Sequence, residues 1–209
     1  MLAKKCNAPQ LNERGAVITL QKILTTVYNL IIISFYFWLY IIRGMFIYSF
    51  IPAIVTLMEV SRLIYHLKSD EEIRRLYQSK FQLYKQHKGS SFVVSFLLII
   101  LATSLYFVNG MVGSLQLILY IVLLYMVILL LLVTSNASHQ RRLVYSDMKH
   151  AFIVGFLDII KKPQQTLYLL AVFTICIGIG IWNLVAFLAF VPALYGISSI
   201  YIYNNTVRE

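Results

Sequence analysis

The sequence predicts an all-α, polytopic membrane protein with six transmembrane helices, two cytoplasmic amphipathic helices and both termini inside. Three observations predict it. The 209 residues are 60% hydrophobic and only 12% charged, too little polarity to clothe a soluble domain of this length. Gly89 to Gln140 and Gln164 to Val207 contain no Asp, Glu, Lys or Arg, and Ile23 to Val60 is broken only by Arg43 and Glu59. A helix needs about 20 apolar residues to cross the hydrocarbon core, so each stretch reads as two spans joined by a tight turn. Finally, of the 18 Lys and Arg residues, all but Arg43 fall in segments that this arrangement puts on one face, as the positive-inside rule requires.

Residues 1–22 read as a basic cytoplasmic tail carrying Lys4, Lys5, Arg14 and Lys22. The tail lacks the apolar core of a cleavable signal, so the first span is expected to act as an uncleaved insertion signal. Residues 23–203 read as one membrane domain and 204–209 as a second cytoplasmic tail. The first span, 23–42, ends in an aromatic cluster, Phe35, Tyr36, Phe37, Trp38 and Tyr40, suited to an outer interface. Arg43-Gly44 is the expected outer turn. The second span, 45–61, contains Pro52, which predicts a kink near Tyr48. The third and fourth, 92–108 and 115–133, flank an Asn109-Gly110 turn. The fifth, 165–181, and the sixth, 184–203, meet at Trp182-Asn183, and Pro192 predicts a second kink.

Two segments between spans are different in kind. Residues 62–90 hold Arg62, Lys68, Arg74, Arg75, Lys80, Lys85 and Lys88. Ser69 followed by Glu72 is a capping-box pattern, and Ile73, Leu76, Tyr77, Phe81 and Tyr84 follow helical spacing. This predicts an amphipathic helix over about 70–87, lying on the inner surface. Residues 134–164 hold Arg141, Arg142, Lys149, Lys161 and Lys162. Val144, Met148, Ala151, Phe152, Gly155 and Ile159 share one side of a second short helix that stops before Pro163. Arg74, Arg75, Lys80, Lys85, Arg141 and Arg142 form the candidate docking face, towards a partner or an anionic leaflet.

The net charge of +10 does not indicate nucleic acid, because the basic residues border apolar spans and no nucleic-acid module is readable. His66, His87, His139 and His150 are not at metal-ligand spacing and read as interfacial histidines. No phosphate-binding glycine loop or serine elbow is present. No cofactor, metal or enzymatic activity is expected. Cys6 and Cys176 lie in the tail and mid-span, so a disulfide between them is not expected. Glu59 is expected to pair with Arg62, and Asp158 with Lys161 or Lys162. Asn29, Ser34, Thr103, Ser104, Gln116 and Thr174 read as hydrogen-bonding groups between or within helices. Phe50-Ile51-Pro52-Ala53 and Phe190-Val191-Pro192-Ala193 echo one another, and a parallel repeat is the form a duplication would take.

Ile51-Pro52-Ala53 through Arg62-Leu63, Lys80-Phe81 to Lys88 leading into Phe92, Met148-Lys149-His150-Ala151-Phe152 through Lys162-Pro163 and Thr166-Leu167, and Val191-Pro192-Ala193 together resemble the YesL family of small bacterial integral membrane proteins. The resemblance covers about 20–205. It implies a multi-pass protein of the bacterial plasma membrane, associated with carbohydrate ABC transporter subunits. It brings no catalytic residues. Asp147, Gly155 and Pro163 are spaced too closely for the coupling motif of an importer permease. Two functions are therefore expected: an accessory or regulatory component of carbohydrate uptake, or a small solute carrier using the second and sixth spans.

Overall fold

The computed structural model describes residues 9–64, 67, 69–85, 88–143 and 148–206, with side chains for all of these except 9–19, 22, 114, 141–143, 148 and 206. The described residues form α1 (Pro9–Arg43), α2 (Phe50–Arg62), α3 (Asp70–Tyr84), α4 (Lys88–Asn109), α5 (Ser114–Leu143), α6 (Met148–Lys161), α7 (Pro163–Trp182) and α8 (Leu184–Thr206). Five stretches are long and apolar enough to cross a membrane: Ile23–Arg43 of α1, all of α4, Leu115–Gln140 of α5, all of α7 and Leu184–Asn205 of α8. Their outward faces carry exposed Phe96, Ile100, Phe107, Leu117, Ile121, Ile175 and Val185, among others. Apolar surface this extensive suits lipid rather than water. The chain is a helical, multi-pass membrane protein.

Antiparallel pairs build the bundle. Trp38 meets Leu188 and Ser34 meets Ala193, so α1 and α8 run in opposite directions. Phe173 packs on Tyr195 and Gly180 against Phe187, so α7 also opposes α8. The start of the first apolar helix and the end of the last therefore lie at the same end. The main core is filled from α1, α2, α3 and α8 by residues such as Ile33, Leu57, Val60, Ile73, Tyr77 and Ala193. Two glycines set helix approach. A Cβ at Gly196 would stand 2.5 Å from Ser61 Oγ on α2, and one at Gly155 would stand 2.8 Å from Ala137 N on α5.

The second expected span is corrected. α2 has 13 residues, about 20 Å at 1.5 Å per residue, against a hydrocarbon core of about 30 Å. It is instead among the most enclosed elements, with Ile51, Ala53, Val55, Leu57, Met58 and Val60 all at 1% exposure or less. Pro52 is no kink either. It occupies the first turn of α2, where its missing N–H would have no helical partner. Tyr48 lies in the preceding turn segment, where Met45 and Phe46 both take φ of 56°. Pro192 does sit inside its helix, α8. The two proline motifs thus occupy different helical positions.

The expectation that Arg43-Gly44 lies across the membrane from Lys85 and Lys88 is corrected as well. Arg43, Gly44, Lys85 and Lys88 line a single recess. Residues sharing a recess cannot face opposite sides of a membrane. Ser91 explains the proximity: its Oγ donates to Ile47 O (3.0 Å) and accepts from Ile51 N (3.3 Å), tying the start of α4 to the α1–α2 connection.

The fourth span does not end at Val133. α5 continues to Leu143, because no Gly or Pro interrupts the run. α6 packs Ala151 and Gly155 on α5. Its outer side exposes Ile153, Phe156, Leu157 and Ile160, so it is not amphipathic in the expected sense. Val144 lies outside the described residues.

Candidate functional site

α3 is built as expected at its start. Ser69 is the N-cap, and its side chain accepts from Glu72 N at 3.3 Å. Asp70, Glu71 and Glu72 fill the first turn, where carboxylates suit the helix dipole. The placement differs from the expected one. α3 packs lengthwise on α1. At its start, Tyr28 Oη donates to Asp70 Oδ2 (2.6 Å). Further along, Tyr40 stacks on Tyr77 (5.1 Å between centroids) and meets Phe81 (4.7 Å). Tyr77 is fully enclosed and donates to Ala53 O (3.4 Å). Burial pushes its hydroxyl well above the ordinary value, so it stays a donor.

Glu59 marks the seam between α2 and α3. Lys80 Nζ lies 2.9 Å from Glu59 Oε2, and Tyr84 Oη donates to Oε1 at 2.7 Å. The expected Glu59–Arg62 pair does not form, since the partner comes from the facing helix. Lys80 is therefore part of the fold's interior wiring and leaves the docking face. Lys80→Met is expected to cost about 1–3 kcal/mol, because it strands a largely buried carboxylate. Arg75→Met is expected to change stability by less than about 0.5 kcal/mol, since its contact to Glu71 (3.4 Å) joins two side chains over 80% exposed. Thermal unfolding of both variants in detergent checks the contrast.

Arg74, Arg75 and Lys85 do face outward, together with Gln78, Ser79 and Gln82. The result is a polar stripe along the flank of a helix apolar enough to cross a membrane. The side chains of Arg141 and Arg142 lie outside the described residues, as do His66, His87 and Cys6.

The break at Pro192 is repaired by α1. Proline has no N–H for Leu188 O. Trp38 Nε1 donates to that carbonyl at 3.0 Å, and one turn earlier Ser34 Oγ accepts from Ala193 N at 3.2 Å. Membrane helices tolerate proline when a neighbour supplies such groups. Beside this break lies a cavity of about 250 Å³, walled by Phe50, Ile54, Leu57, Phe173, Val191 and other apolar side chains. Its polar atoms are already engaged, because the hydroxyls of Ser135 and Tyr195 hydrogen-bond to each other at 2.5 Å. α2 and α8 approach closely where Gly196 meets Ser61.

A buried polar knot at the end of α5 is absent from the sequence-based expectations. Tyr203 Oη donates to Asn136 Oδ1, and Asn136 Nδ2 donates to Gly155 O (3.3 Å). His139 stacks on Tyr203 with centroids 3.7 Å apart and is 4% exposed, not an interfacial histidine. Gln140 Nε2 donates to Asp158 Oδ2 (2.6 Å). Asp158 thus binds an amide, and it makes no ion pair with Lys161 or Lys162 among the described residues. Thr134-Ser135-Asn136-Ala137-Ser138-His139 resembles a loop in composition; the missing breaker between Leu132 and Leu143 was the available clue.

No protein-family model, curated protein or solved structure matches the chain. Among the described residues, no group of three His, Cys, Asp or Glu side chains is placed to hold a metal ion. Asn29, Ser34, Gln116 and Thr174 spend their hydrogen bonds on backbone carbonyls or amides. Cys176 is buried in the cavity wall.

Proposed function

We propose that this protein is an accessory or regulatory component of carbohydrate uptake in the bacterial plasma membrane, docking to ABC transporter subunits through α3. The supporting observation is the outward face of α3. Arg74, Arg75, Gln78 and Gln82 run beside α1, and lipid chains cannot cover charged groups there. A polar partner surface is the cover this reading supplies. The resemblance to the YesL family supplies the association with carbohydrate transporters. The antiparallel pairing of α1 and α8 brings the start of α1 and the end of α8 to one side of the bundle, and the basic residues of the N-terminal tail favour the cytoplasmic side for it.

The test compares two purifications from the native host. Wild type is expected to bring down transporter subunits, and Arg74→Glu/Arg75→Glu is expected to reduce their recovery at least tenfold without reducing the amount inserted in the membrane. Equal recovery from both proteins would sink the docking role.

A second reading, a small solute carrier, draws on the cavity between α2 and α8. Its lining suits an apolar solute. It does not suit a sugar, whose hydroxyls would find no unengaged partners there. Purified protein in vesicles is expected to move no sugar. Saturable sugar flux by the chain alone would replace the accessory reading with the carrier one.

A further inference from the structure

We infer that the recess between the end of α1, the end of α3 and the start of α4 is a binding site for a phosphate group, and that the phosphate belongs to an anionic lipid headgroup. The recess shares Gln78 and Gln82 with the proposed docking face of α3 but neither Arg74 nor Arg75. The recess encloses about 180 Å³ and is lined by Arg43, Lys85, Lys88, Gln78, Gln82, Tyr40 and Tyr48, with no carboxylate in its wall. By volume it holds about six waters, room for a phosphodiester.

Three separate elements deliver the cations. Arg43 closes α1, Lys85 follows α3, and Lys88 is the first residue of α4. Bringing three like charges together is unfavourable unless an anion sits between them. No ion pair links any of the three to a carboxylate among the described residues. Lys88 is also placed against the helix dipole. Cations suit helix C-termini, yet Lys88 opens a helix whose first turn holds no acidic residue. An anion at this point would meet the positive end of the α4 dipole as well as the side chains.

The alternative, that Arg43 merely caps α1, is weakened by the backbone. Gly44 N already donates to Tyr40 O (3.1 Å) and Phe46 N to Ile41 O (2.9 Å), so those two carbonyls have partners. The second of these bonds comes from a turn with Met45 and Phe46 both at positive φ, an unfavourable region for bulky side chains.

The rim argues for a lipid over a soluble phosphate. Tyr48 in the recess wall is exposed, and so are its ring partner Phe92 and Ile42, Met45 and Phe46, the chain neighbours of Arg43 and Gly44, Met45 at 79%. Tyr48 stacks on Phe92 at 5.9 Å. Apolar side chains bordering a cationic recess match a ligand with a phosphate head and acyl tails.

The experiment uses the full chain purified in a neutral detergent. Thermal unfolding is followed while short-chain phosphatidylglycerol, short-chain phosphatidylcholine or inorganic phosphate is added. Phosphatidylglycerol is expected to raise the midpoint saturably and phosphatidylcholine is not. Arg43→Gln/Lys85→Gln/Lys88→Gln is expected to weaken the apparent affinity at least tenfold. Arg74→Gln/Arg75→Gln is expected to leave it within twofold. If inorganic phosphate alone gives a saturable rise that the triple variant loses, the phosphate site stands and its source is soluble. If the triple variant does not fold, Arg43→Gln alone is expected to weaken affinity at least threefold. Three results would overturn the site: no rise with either phosphatidylglycerol or phosphate, an equal rise with phosphatidylcholine, or an affinity within twofold of wild type in the recess variants.

Discussion

Trp38→Phe is expected to destabilise the bundle by about 1–3 kcal/mol, the cost of leaving a carbonyl within a membrane-crossing helix without its donor. Pro192→Ala in the same background is expected to recover at least about 1 kcal/mol. The reason is specific to this contact. Alanine at 192 restores the N–H that Leu188 O lacks, so the indole donor is no longer needed. The packing lost with the larger ring, which touches Phe37 and Phe187, does not depend on residue 192. A double-mutant cycle on thermal or denaturant unfolding in detergent separates the two parts. Additive effects would show that Trp38 contributes packing alone and that the carbonyl has another partner.

Gly155→Ala is the second large effect, expected at about 1–3 kcal/mol destabilising. The new Cβ would meet Ala137 N at 2.8 Å and Ala137 Cα and Val133 O at 3.2 Å. These are backbone atoms and cannot rotate away, so α5 and α6 must separate. The separation also strips Asn136 of its bond to Gly155 O and loosens the amide that holds Tyr203. Gly178 provides the contrast. Nothing lies within 4 Å of a Cβ there, and it sits inside α7. Gly178→Ala is expected to be neutral or stabilising by up to about 1 kcal/mol. Equal responses from the two substitutions would refute close α5–α6 packing.

The Ser69 cap on Glu72 N and the stop before Pro163 were legible because each depends on residues within a few positions of one another. The helix seam at Glu59 was not. Arg62 is the local candidate at i+3, but Lys80 reaches Glu59 through the fold, and a carboxylate at 15% side-chain exposure takes the partner that the facing helix presents. Pro52 and Pro192 show the same limit. Both occur in a Phe-x-Pro-Ala setting, yet one starts a helix and the other interrupts one. The difference depends on where the preceding turn ends, and that turn is set by Ser49 bonding Ile41 O and Ser91 bonding Ile47 O.

By itself the sequence determined the solvent, the helical class and the positions of most apolar helices, since hydropathy and charge act locally along the chain. Tertiary structure alone decided that α2 is an enclosed short helix, that α3 stands along α1, and that Arg43 joins Lys85 and Lys88. These outcomes depend on which helix faces which. Side chains distant in sequence make that choice through shape and hydrogen bonding, and no local pattern encodes it.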